Sequence, residues 1–165
     1  MGAPDLNRER TTRWMVAIVA LAPGILGAQA SPRLQGEIRG DAFVARELTL
    51  HVGAGVNSRV GQNVRVSLIA GVGGAFENHE SRFSARAEVT GRFLLDPGFN
   101  ARWGAYAGGG VGVRSDQSDS SPVVLILVLG AEGSKWGALV PFVEAGYGGG
   151  LRLGAGFRQA LMGRR

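Results

Sequence analysis

Over most of residues 48–159, apolar and polar residues alternate one by one, in blocks separated by turn-forming clusters. Residues 83–95, FSARAEVTGRFLL, show it most plainly. Phe83, Ala85, Ala87, Val89, Gly91, Phe93 and Leu95 alternate with Ser84, Arg86, Glu88, Thr90 and Arg92. A strand sends successive side chains to opposite faces, so this segment has one oily face and one charged face. The same period recurs in residues 48–56, 64–76, 103–114, 139–148 and 150–159. Residues 34–44 read as a weaker first strand, with Gln35, Glu37, Arg39 and Asp41 on its polar face. Residues 123–129, VVLILVL, are apolar on both faces. No helical period is sustained after residue 30, and the pattern predicts an all-β chain of eight antiparallel strands.

The connections fall into two kinds. Those at 57–63, 96–100 and 133–137 are short and turn-like, whereas those at 40–46, 77–81 and 115–122 are more polar and alternate with the first set. In an up-and-down meander, alternate connections lie at the same end. Eight strands therefore put both termini and the short turns at one end. The polar loops and the tight Gly148-Gly149-Gly150 link lie at the other.

Which face points inward is decided by glycine. The charged faces also carry Gly53, Gly55, Gly71, Gly73, Gly104, Gly108, Gly110, Gly112, Gly154 and Gly156. A water-facing strand has no use for glycine, which weakens it. The interior of an eight-stranded barrel is only just wide enough for side chains and does need small residues. The charges are therefore assigned to the lumen and the oil to the outside. The expected lumen network is Glu47, His51, Arg65, Arg86, Glu88, Arg92, Arg102, Glu144, Arg152 and Arg158, with Glu37 and Arg39 on the same polar faces and Tyr106 packing across. Buried charge is costly unless paired, so a hydrogen-bonded plug is expected and not an open pore. Phe76, Phe83, Phe93, Trp103, Tyr147 and Phe157 lie near strand ends on the oily faces, where interfacial aromatic girdles sit in membrane barrels.

The N-terminus changes the picture further. Arg8, Arg10 and Arg13 precede the apolar run WMVAIVALAPGIL and then Ala28-Gln29-Ala30. A positive segment, a short apolar segment and an A-x-A site predict a cleaved export signal over residues 1–30. The run is too short for a spanning helix, which needs about 20 apolar residues. The working protein is then one barrel domain, residues 31–161, with a short basic tail at 162–165. Three Arg, one Asp and one Glu lie in residues 1–30, so residues 31–165 keep +4 of the chain's +5 charge. The arginines are spread through strand-like segments and do not form one stripe, which argues against nucleic-acid binding. The chain has no cysteine, which excludes disulfides and thiolate chemistry.

An export signal followed by eight alternating strands, with turns on one side and polar loops on the other, resembles the small bacterial outer-membrane β-barrel proteins, the eight-stranded outer membrane protein A and X type. The resemblance covers residues 34–161. It implies an antiparallel up-and-down transmembrane barrel in the outer membrane, monomeric, with outer-membrane lipid and the assembly machinery as partners and no cofactor. Members of that class usually end on a strand whose last residue is aromatic. Phe157 is the counterpart here, but RQALMGRR runs past it.

Candidate chemistry is sparse. In Phe76-Glu77-Asn78-His79-Glu80-Ser81, the His-x-Ser spacing is similar to that of the outer-membrane lipid A deacylases, which are also eight-stranded barrels. That likeness would make Ser81 the nucleophile, His79 its base and Glu80 or Glu77 the orienting acid. The following Arg82-Phe83 departs from that family. His51 and His79 have no metal-ligand spacing, and the Gly108-Gly109-Gly110-x-Gly112 run is followed by no helix that could cradle a nucleotide. The expectation is a non-enzymatic barrel with a structural or surface-interaction role. A lipid A deacylase using His79 and Ser81 is one alternative, and a soluble secreted barrel with an apolar ligand inside is the other.

Overall fold

The computed structural model describes residues 34–77, 80–95, 103–115 and 123–161. Single-residue alternation becomes eight strands: β1 (Gln35–Val44), β2 (Leu48–Val60), β3 (Val64–Glu77), β4 (Glu80–Leu94), β5 (Trp103–Ser115), β6 (Val123–Gly133), β7 (Leu139–Gly148) and β8 (Leu151–Ala160). Each strand pairs antiparallel with its chain neighbours, and β1 also pairs with β8. The sheet closes on itself, so none of the described strands is an edge with unpaired amide groups.

The pairing registers set the barrel's shape. Gln35 pairs with Asn57, Asn57 with Ser67, Ser67 with Thr90, Thr90 with Gly110, Gly110 with Ile126 and Ile126 with Gly148. Continuing through β8, the circuit returns to β1 about ten residues from its start. With strand spacings near 4.8 Å and rises near 3.3 Å, that stagger tilts the strands by roughly 40°, and each residue advances ~2.5 Å along the axis. Phe83 and Phe93, ten residues apart on the outer face of β4, are therefore separated by ~25 Å along the axis, about the height of a lipid-facing band.

Several boundaries differ from the sequence expectation. Asn57 and Ser58 do not turn the chain. β2 runs on to Val60, and the turn is made at residues 61–63, where Gly61 takes φ 76°. Asn57 stays extended because its side chain finds a carboxylate inside the barrel, which overrides its turn preference. β1 keeps its pairing through Val44, so residues 40–44 are strand and only 45–47 connect. β3 and β4 extend to Glu77 and back from Glu80, so Ser81 lies on a strand and not in a loop. β6 continues past Leu129 to Gly133, held by pairing with β5 even though Ala131, Glu132 and Gly133 are poor strand formers. The expected export signal, the 96–100 turn, most of the 115–122 loop and the 162–165 tail lie outside the described residues.

The outer surface is apolar on every strand: Phe83 is 69 % exposed, Leu129 67 % and Leu125 63 %. The inner faces carry the charges together with Phe43, Ile69, Tyr106, Ile126, Val128 and Phe142. Glycine serves this arrangement in two ways. At Gly110 a Cβ would strike the Val89 carbonyl of β4, so close backbone approach excludes any side chain there. At Gly154 and Gly130 a Cβ would instead strike Asp41 and the Tyr106 ring, so these positions make room for the lumen's own side chains.

Candidate functional site: a salt-bridged lumen

Alternation delivers inward side chains from all eight strands, and they meet as two ion-pair clusters. At the turn end, both terminal nitrogens of Arg65 donate to the Glu132 carboxylate, at 2.6 and 3.1 Å. Arg158 donates from Nη1 to Glu132 at 2.7 Å and from Nε to Glu37 at 2.8 Å. Arg92 pairs with Glu144 at 2.8 Å through Nη2, while its Nη1 donates to Ser67 Oγ at 2.6 Å and Asn57 Oδ1 at 3.1 Å. Ser67 Oγ in turn donates to Asn57. The Tyr106 hydroxyl donates to Glu144 at 2.8 Å and accepts from Arg158 at 3.2 Å.

Towards the loop end, Arg152 forks onto Glu88 at 3.1 and 2.8 Å, and its Nε donates to Asp41 at 3.1 Å. Arg86 donates to Glu88 at 3.0 Å and to Asp41. Arg39 joins the clusters. It donates to Asp41 at 2.8 and 2.7 Å on one side, and to Glu37 at 2.8 Å and Glu144 at 2.5 Å on the other. Three inward rings support the guanidinium planes: Arg158 stacks 3.9 Å from the Phe142 centroid, Arg86 and Arg152 lie 5.0 and 5.4 Å from Phe43, and Arg92 and Arg158 flank Tyr106.

Among the described residues, six arginines and five carboxylates are buried in this interior. Three acids match Arg65, Arg92 and Arg158, two match Arg86 and Arg152, and Arg39 is the surplus cation shared between them. A cavity of about 10 Å³ near the loop end is walled by Phe43, Arg86, Glu88, Arg114, Val124 and Ile126. That is room for about one water molecule. The interior is ionic, unlike the oily pocket that a lipocalin-like carrier of apolar ligands needs.

The sequence-derived set is distributed as follows. Arg65, Arg86, Glu88, Arg92, Glu144, Arg152 and Arg158 belong to the two clusters. His51 is buried beside them, its Nε2 3.0 Å from Ser84 Oγ and its ring edge-on to Phe43. Glu47 does not join the network. It sits in the 45–47 connection at the rim, 3.6 Å from Arg82, because β2 begins one residue later. Arg102 and His79 lie outside the described residues. Ser81 is exposed and opposite Phe76 on the outward face of β4, away from the clusters. The described Ser–His contact is instead Ser84–His51, and Asp41, opposite His51 in register, is already committed to three guanidiniums.

The eight-stranded closed barrel has solved counterparts. The chain is similar to a de novo designed transmembrane β-barrel, with a TM-score of 0.61 at 16 % identity over 81 % of this chain and 100 % of that one. It is also similar to Neisserial surface protein A, at 0.56 and 10 % identity over 78 % and 96 % of the two chains. The N-terminal β-barrel domain of Pseudomonas aeruginosa OprF matches at 0.50 and 14 % identity over 78 % and 99 %. No protein-family model matches the chain, and no curated protein matches it in sequence.

Sequence reasoning missed two of the five buried acids. Asp41 reads both as a polar-face residue and as part of a connection, and Glu132 falls beyond the end that the pattern assigns to β6. Asp41 carries a signal, since it shares parity with Arg39 on β1, whereas residues 123–129 are apolar on both faces and give Glu132 no inward parity to inherit. Outside, Phe76, Phe83 and Tyr147 lie towards the loop end, and Phe93, Trp103 and Phe157 towards the turn end, where Trp136 of the β6–β7 connection joins them. Trp136, 77 % exposed, is an addition to the expected girdle.

Proposed function

We propose that this protein is a bacterial outer-membrane barrel whose lumen is closed by its ion pairs, with a structural or surface-interaction role carried by the loop end. The observation that carries the reading is the inversion of polarity: guanidinium–carboxylate pairs at the centre and aliphatic side chains on all sides outside. In water an exterior of this kind would be an aggregation liability, while in lipid it is the expected skin. The ~25 Å between Phe83 and Phe93, and aromatics towards both ends, support the same reading. Eight strands leave no room for a solute channel once the interior is filled with side chains. The polar SDQSDSSP loop between β5 and β6 would face the cell exterior, and the termini the periplasm.

Membrane fractionation of the expressed chain, followed by gel mobility with and without boiling, tests the proposal. Folded barrel should appear in the outer-membrane fraction and migrate differently from the boiled chain. Recovery in the soluble periplasm would overturn it. In planar bilayers the purified protein is expected to give no stepwise conductance, and solute-sized openings would refute the closed lumen. Ser81→Ala is expected to leave lipid A acylation unchanged.

A further inference from the structure

Several buried donors find no acceptor inside the barrel, and three of them lie on neighbouring rungs of one strand pair. Arg65 and Arg92 face each other directly across β3 and β4, a like-charge pair that is unfavourable in a sheet. Both are 1 % exposed. Their terminal nitrogens are committed to Glu132, Glu144, Glu37, Asn57 and Ser67, but the Nε–H of each has no hydrogen-bond partner. One rung further along the same ladder, Ser67 faces Thr90, which is also 1 % exposed and whose hydroxyl likewise has no partner. On the other side of β4, Thr90 and Arg92 pair with Gly110 and Gly108, so β5 contributes no side chain there. Three buried donors thus sit on two adjacent rungs, in an interior that carries six guanidiniums against five carboxylates.

We propose that this corner of the lumen binds one small monovalent anion, of the chloride class, held by Arg65 Nε, Arg92 Nε and Thr90 Oγ1. The sign follows from the donors: guanidinium N–H groups and a hydroxyl in an interior with more buried arginines than carboxylates favour an anion. The donors argue for the place, since each buried N–H or O–H without a partner costs free energy that a bound anion recovers through charge-assisted hydrogen bonds. Three single donors, with no second oxygen-spanning set around them, suit a monatomic ion better than phosphate or sulfate. The site requires only the closed, charged lumen, so its failure would leave the membrane reading standing.

The test is thermal unfolding of the folded full-length protein in detergent, in sodium chloride, sodium bromide and sodium gluconate at equal ionic strength. A saturable rise in midpoint is expected with chloride and bromide and none with gluconate, whose anion is too large. Thr90→Val removes one donor at constant shape. It should weaken the halide effect roughly tenfold in concentration while leaving the midpoint in gluconate equal to or above that of the parent. A bromide-containing crystal should show one anomalous peak between Arg65 and Arg92. Equal midpoints in all three salts, or a halide effect undiminished in Thr90→Val, would overturn the proposal and assign the donors to water.

Discussion

Replacing Arg39 by methionine probes the link on which the lumen's two clusters depend. Arg39 donates four charge-assisted bonds to three carboxylates, and its side chain is fully buried. Counted singly at about 1.5–3 kcal/mol each, those bonds would be worth upwards of 6 kcal/mol. That sum is too large for two reasons. Every carboxylate that Arg39 touches keeps other cations: Asp41 retains Arg86 and Arg152, Glu37 retains Arg92 and Arg158, and Glu144 retains the same two arginines. Methionine also removes the surplus charge and its desolvation cost. A loss of about 2–4 kcal/mol is therefore expected. Glu144→Gln is the opposite perturbation, because it strips a carboxylate from Arg39, Arg92 and Arg158 and raises the buried excess. It should cost more, about 3–5 kcal/mol. Reversible denaturant unfolding in detergent or lipid, followed by tryptophan fluorescence, gives both values. The double variant should cost less than the sum, since the two residues share a bond. Additive effects, or Arg39→Met costing more than Glu144→Gln, would refute the scheme of two balanced clusters joined by a surplus cation.

Three other outcomes follow from the same geometry. Val89→Arg, midway between Phe83 and Phe93 on the outer face of β4, should cost about 2–4 kcal/mol in lipid vesicles, with Val89→Leu as the neutral control; a neutral arginine would mean that this face meets water. Gly154→Val, whose Cβ would strike Asp41 and Arg39, should destabilise by about 1–3 kcal/mol in the same assay, and an unchanged midpoint would show that the network tolerates the intrusion. Trp136→Ala, at the turn-end rim with Trp103, should lower the emission of the folded state in lipid without moving its maximum, because the indole that remains is interfacial too, and a blue shift on its removal would place Trp136 in bulk water.

The strands were legible because a closed barrel imposes one rule, inward or outward, on every residue. In β4 that rule is written without exception from Phe83 to Phe93. It becomes faint where both faces are apolar, as in residues 123–129, and there parity had to come from pairing with β5: Ile126 and Val128 go in, while Leu125 and Leu127 go out. Strand ends were misjudged where local chemistry and tertiary contact disagree. Asn57 has the composition of a turn, but its amide donates to Glu37 at 3.1 Å inside the barrel. Glu132 lies in a stretch of poor strand propensity, yet Arg65 and Arg158 hold it in place. Partner choice was not legible at all. Arg39 and Glu144 are 105 residues apart, and nothing in period-two alternation says which strands face each other across the lumen.

The ionic interior also bears on why this sequence adopts one register. In the membrane setting proposed above, lipid gives no reward for placing an aliphatic side chain inside a barrel, so hydrophobicity alone would hold the strands in place only weakly. A slip of β4 by one residue would turn every side chain to the other face. Arg86, Glu88 and Arg92 would then enter lipid while Phe83, Val89 and Phe93 crowded the lumen. At about 2–4 kcal/mol for each lipid-facing arginine near the midplane, that single slip would consume a large part of a domain's usual stability. It would also break the ties from β4 to β1, β7 and β8 that run through Arg86, Glu88 and Arg92. The buried pairs need add little net stability to perform this role, because their effect is on the gap between the native register and its neighbours. Gel mobility reads that gap more directly than stability does. Swapping the two charges of β4, with Arg86→Glu and Glu88→Arg made together, preserves composition and net charge. The swap nevertheless sets a carboxylate against Asp41 and a guanidinium against Arg152. It is expected to leave a mixture of folded forms on an unboiled gel, where a single sharp form would refute a register role for the lumen charges.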